Sequence, residues 1–234
     1  MPHDSINHAR IVSLIWGIAD DMLRDLYVRG KYRDVILPFT VLRRLDAVLE
    51  PTRDAVIEMK RVLDDAGIVD QDAPLRDAAK QAFYNTSGFA FKDLRNAANK
   101  TRLRQNFEAY LEGFSPNVQE IIENFDLRHQ LPKLTKADAL GALIEKFCSP
   151  DLDLSPTGLD NHGMGTVFEE LVRRFNEDNN EEAGEHWTPR DAVRLMTRLM
   201  FEPIADRIPS GTYRLYETFM SQRIQTRANY DLAA

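Results

Sequence analysis

The chain has 234 residues, 43% hydrophobic and 29% charged, enough to bury one substantial core and too apolar for a disordered chain. Its net charge of −7 argues against gripping a phosphate backbone by bulk charge, so a nucleic-acid contact needs a local basic patch or a basic partner. The single cysteine, Cys148, excludes an internal disulfide, no leader pattern opens the chain, and no apolar run reaches the ~18 residues of a bilayer span, so a cytoplasmic setting is expected.

Apolar residues at three- and four-residue steps predict a first helix over 6–27, built on Val12, Ile15, Trp16, Ala19, Leu23 and Leu26 and stopped by Gly30. Asp34 is the expected cap of a second helix through Leu37, Val41, Leu42, Leu45 and Leu49, with Pro38 near its first turn. Pro51 suits the first turn of a third helix that ends about Gly67. Loops are expected at 67–74 and 84–88, and shorter amphipathic helices at 75–83, 101–112, 116–125 and 136–147. Thr135 and Asp138 have the spacing of a capping box for the last of these. The stretch 149–162, rich in Pro, Asp and Ser, reads as a boundary. Two more helices are expected beyond it, at 165–177 and 189–201, separated by the acidic string NEDNNEEAGE. Only 211–216 has β character, after the turn Pro209-Ser210.

The titratable residues do not gather into an obvious catalytic set. His3, His8, His129, His162 and His186 are scattered, none pairs with another at i,i+4, and Cys148 has no neighbouring ligand type, so no metal site is expected. Asp20-Asp21 and Asp64-Asp65 are adjacent on helices and diverge by a quarter turn or more, poor geometry for shared acid–base work. Lys92, Arg95, Lys100, Arg102 and Arg104 form the densest basic segment, opposed only by Asp93; it suits either a solvated face or a phosphate-contacting surface.

The segment Gly184-Glu185-His186-Trp187-Thr188-Pro189-Arg190-Asp191 is sharper. Thr188 is a preferred N-cap, Pro189 suits the first helical position, and Asp191 completes a capping box before Val193, Leu195, Met196 and Leu199. Trp187 lies outside that account. It can staple against Val193 or Leu195, or it can wall a pocket into which the helix start aims its unpaired N–H groups.

Gly184–Arg190 resembles the G-[EQ]-[FYH]-[FYW]-T-P-R element of the adenine-methylating (M) subunits of type I restriction-modification systems. Gly165-Thr166-Val167-Phe168-Glu169-Glu170-Leu171-Val172-Arg173-Arg174-Phe175 is similar to that family's G-x-[IVA]-[YF]-E-x-L-[LV]-x-x-F helix. Ile36-Leu37-Pro38-Phe39 with Leu42-Arg43-Arg44-Leu45-Asp46 resembles its I-L-P-x-x-x-L-[RK]-R-L-D helix. The three fall in the family's order. The resemblance implies methyl transfer from S-adenosylmethionine to adenine N6 in DNA, with Glu185, His186, Trp187, Thr188, Pro189 and Arg190 lining the cofactor site. It also implies a specificity subunit, a second M subunit and a restriction subunit as partners, with DNA reached through the complex.

The family pattern is departed from after Tyr216. In place of D-x-[AC]-x-G-[ST]-G-G, whose glycines let a cofactor approach the backbone, the chain reads Glu217-Thr218-Phe219-Met220-Ser221-Gln222-Arg223-Ile224, with no glycine after Gly211. The N-P-P-[FY] tetrapeptide of the family's catalytic site is absent, so no catalytic residue is assigned. The expected fold is mainly α. A helical-bundle domain over 1–150 precedes the opening helices and first strand of an incomplete Rossmann-like methyltransferase domain over 151–216. A truncated or frameshifted, poorly ordered tail is expected over 217–234. The expected function is that of an M-subunit fragment, inactive alone, with weak S-adenosylmethionine binding or none; the alternative is a non-catalytic helical module that binds the specificity or restriction subunit.

Overall fold

The computed structural model describes residues 2–97, 99–178 and 190–203. Ten α-helices occur among them: α1 (Pro2–Leu23), α2 (Arg33–Leu49), α3 (Arg53–Asp65), α4 (Asp72–Ala79), α5 (Lys100–Glu112), α6 (Pro116–Asn124), α7 (Leu127–Lys136), α8 (Ala139–Phe147), α9 (Asn161–Asp178) and α10 (Arg190–Phe201). The described residues hold no strand, only an isolated antiparallel bridge between Asn85 and Phe114. The chain divides into two compact units, Met1–Asn179 and Asn180–Ala234, and α10 is the described element of the second. The expected strand at 211–216 and the tail at 217–234 lie outside the described residues.

The centre of the first unit is α2. Val35, Ile36, Leu37, Phe39, Leu42, Ala47 and Leu49 are buried, pointing in all directions around the axis, as in a helix enclosed by others. It packs against α1, α7, α8 and α9. Phe39 sits in an aromatic cluster, 5.6 Å from the ring of Phe107 on α5, 5.6 Å from that of Phe147 on α8, and 6.0 Å from that of Phe91. Such offset and edge contacts add to the burial of each ring.

Several local expectations are corrected. The first helix stops at Leu23, not near Tyr27, because Leu26 and Tyr27 both turn their N–H groups onto the Leu23 carbonyl, at 3.0 and 2.9 Å. A 3-10 turn, Arg29–Lys31, then leads into α2. Leu26 continues the apolar period because it packs on the core from outside the helix. Asp34 is not the cap of α2: the cap position is Tyr32, and Asp34 lies in the first turn, where its charge suits the helix N-terminus. Pro38 is two residues deeper than expected, inside the helix. The third helix opens with a 3-10 turn, Glu50–Thr52, that contains Pro51. It closes at Gly67, whose φ of 67° lets its own N–H reach Asp64 and the Ile68 N–H reach Leu63, satisfying the last carbonyls. The fourth helix begins at Asp72, earlier than expected, since the Arg76 guanidinium one turn on pairs with Asp72 at 2.7 Å.

A larger difference is α7, where no helix was expected. Leu127, Leu131 and Leu134 are fully buried at four- and three-residue steps, and packing on α2, α5 and α8 holds the helix together despite Pro132 within it. Because α7 runs on to Lys136, Thr135 is used inside it: its hydroxyl donates to the Leu131 carbonyl at 2.8 Å. The Thr135/Asp138 capping box therefore does not form, and α8 starts after Asp138, whose φ is 63°.

The stretch 149–162 does not break the packing. Leu152, Leu154 and Leu159 are buried, and α9 follows with Val167, Leu171 and Phe175 buried at four-residue steps. Phe175 meets Trp16 of α1 with ring centroids 4.9 Å apart. Asp160 accepts from the Gly163 N–H at 2.6 Å, which lets α9 begin about a turn before the expected residue 165. The compact unit thus continues past residue 150 to Asn179.

Phe39→Ala is expected to destabilise the protein by about 3–5 kcal/mol, since it opens a cavity where four rings meet. Urea unfolding of the two proteins measures the difference; a loss under about 1 kcal/mol would mean that the cluster collapses without cost.

Candidate functional site

Five of the six residues expected to line a cofactor site, Glu185, His186, Trp187, Thr188 and Pro189, lie outside the described residues. Arg190 is the first residue of α10. That helix follows the expected span closely, and Leu195, Leu199 and Met200 along it are exposed.

The upstream motifs are placed in detail. In α2, the apolar members Ile36, Phe39 and Leu42 are core residues, and of the charged members Arg44 and Asp46 are also buried while Arg43 is partly exposed. Arg44 is 7% exposed. Its Nη1 donates to the carbonyls of Leu154 and Leu159, at 2.8 and 2.6 Å, and its Nη2 to Asn161 Oδ1 at 2.8 Å. Burial pulls the guanidinium below its ordinary value while Asp160 and Asp153 push it back up; an arginine stays charged through such a shift.

Asp46, two residues further on, is 5% exposed. Its Oδ1 accepts from Arg53 Nη2 at 2.9 Å and from the Phe91 N–H at 2.9 Å, tying α2 to α3 and to the loop before α5. Burial pushes this carboxyl above its usual range, opposed by the Phe91 N–H and then by the charges of Arg53 and Arg43. Arg43 donates from Nε to the Phe147 carbonyl at 3.2 Å, which anchors the end of α8. The R-R-L-D portion of the motif is thus a set of structural ties. Charged residues on a helix that is apolar on every side were the available sign of this role.

The motif in α9 is likewise accounted for by packing. Val167, Leu171 and Phe175 form its buried side. Glu170 accepts from Arg173 at 2.6 Å and Arg174 at 3.2 Å, and Arg174 lies 6.0 Å from the Trp16 ring centroid. The Arg173 and Arg174 contacts hold the Glu170 carboxyl below its ordinary value against the effect of burial.

The basic segment 92–104 is two pieces, a 3-10 turn at Asp93–Asn96 pinned by buried Leu94 and the start of α5, capped by Asn99. Lys92 pairs with Glu50 at 2.7 Å, Lys100 with Asp138 at 3.0 Å and Arg104 with Glu108 at 2.8 Å. With three of the five cations facing carboxylates, the segment is closer to a solvated, charge-balanced surface than to a phosphate track. Of the acidic pairs, Asp64 and Asp65 face Lys60 and Arg61, and Asp20 lies 3.5 Å from Arg29. Among the described residues no three His, Cys, Asp or Glu side chains are placed to hold a metal ion. Nor is any of their helices long and apolar enough to cross a membrane. Cys148 is half-buried, and burial pushes its thiol up, away from the reactive thiolate.

A protein-family model described as the HsdM N-terminal domain matches residues 11–147. Neither curated proteins nor solved structures gave a match. The matched span runs from within α1 to the end of α8, so it includes Arg44 but not the three groups that accept its hydrogen bonds.

Arg44→Met is therefore expected to cost about 3 kcal/mol or more, because it strands two buried carbonyls and an amide oxygen. In hydrogen exchange the amides of Leu159, Gly163 and Met164 are expected to lose protection first. Uniform loss across all helices, or no loss, would show that Arg44 does not pin this segment.

Proposed function

The chain belongs to the HsdM N-terminal domain family, and from that premise we propose that it serves as the leading part of the M subunit of a type I restriction-modification system. In this reading the complete subunit moves a methyl group from S-adenosylmethionine to adenine N6 in DNA. It does so in a complex with a specificity subunit, a second M subunit and a restriction subunit, and the helical unit serves assembly and closure around DNA. The observation that carries the reading is the family match over 11–147; the G-E-H-W-T-P-R element and the α9 motif, both beyond that span, support it.

The 234 residues by themselves are proposed to transfer no methyl group. They contain neither a glycine-rich turn after Gly211 nor an Asn-Pro-Pro or Asp-Pro-Pro sequence, the parts that would hold the methyl donor and a flipped-out adenine. The non-catalytic alternative, a helical module binding the specificity or restriction subunit, draws support from the buried charges: Arg44 and Asp46 are spent on internal ties and gather no reactive group. Incubation of the purified chain with labelled S-adenosylmethionine and unmethylated genomic DNA is expected to give no label in adenine above a protein-free control. Sustained incorporation would overturn the proposed inactivity.

Glu185 to Arg190 are proposed to line the S-adenosylmethionine site of the complete subunit, with binding to this chain alone weak or absent. A Thr-Pro start pre-sets the first helical turn and leaves its N–H donors aimed in one direction. In a chain extended by the methyltransferase core of a family member, Trp187→Ala is expected to weaken S-adenosylmethionine binding about tenfold, the scale of one lost aromatic contact. Thr188 and Asp191 remain to cap the helix, so circular dichroism is expected to be unchanged. Unchanged affinity in calorimetry with lost helicity would make Trp187 a packing staple.

A further inference from the structure

We draw no further inference here: the strongest candidate, the exposed apolar face that Leu195, Met196, Leu199 and Met200 form along α10, carries nothing because nothing in the structure shows what covers it.

Discussion

A guanidinium taken out of water must be given acceptors in the directions its N–H groups point, and Arg44 receives them from Leu154, Leu159 and Asn161. These partners lie 110 to 117 residues further along the chain. Once they are in place, the stretch between α8 and α9 has its Leu154 and Leu159 carbonyls satisfied and its leucines turned inward. The start of α9 is then set at Asn161, and its buried side meets α1 at Trp16. The layout of the first unit beyond α8 follows from this one buried charge.

The opposite end of the same motif works on the earlier elements. Asp46 receives an ion pair from α3 and an N–H from Phe91, and the adjacent Arg43 holds the last carbonyl of α8. Buried charges are a costly way to gain stability, since desolvation offsets much of their attraction. They do, however, demand partners at set positions, which a purely apolar contact does not. In α2 the apolar rings of the Phe39 cluster supply cohesion, while Arg43, Arg44 and Asp46 set which segments come together and in what register.

This division bears on function. In the first unit, the residues that resemble a methyltransferase family are spent on building the unit: Ile36 to Asp46 on its central helix, Gly165 to Phe175 on its packing against α1. The basic segment is largely balanced by carboxylates. The G-E-H-W-T-P-R element, to which the proposed function assigns the cofactor, lies beyond Asn179. The buried Arg44 and Asp46 of the helical unit are engaged within it.

Local sequence determined what local forces control. The spans of α3, α5, α6 and α10 follow their apolar periods, and Gly67 ends α3 because a left-handed residue is needed there. The mainly helical character was legible from residue spacing, and the motif in α2 from its resemblance to the M-subunit pattern. Only the tertiary structure decided the rest. Helix α7 exists because three leucines find a surface to cover, which outweighs the proline within it. Helix α1 ends early because Leu26 can reach the core without being helical. The stretch 149–162 reads as a boundary because its composition suits a turn, and it is part of the first unit because a buried arginine over a hundred residues earlier takes its carbonyls. Residue spacing reports which side of a helix is apolar. It carries no record of a hydrogen-bond partner that only the folded chain brings within reach.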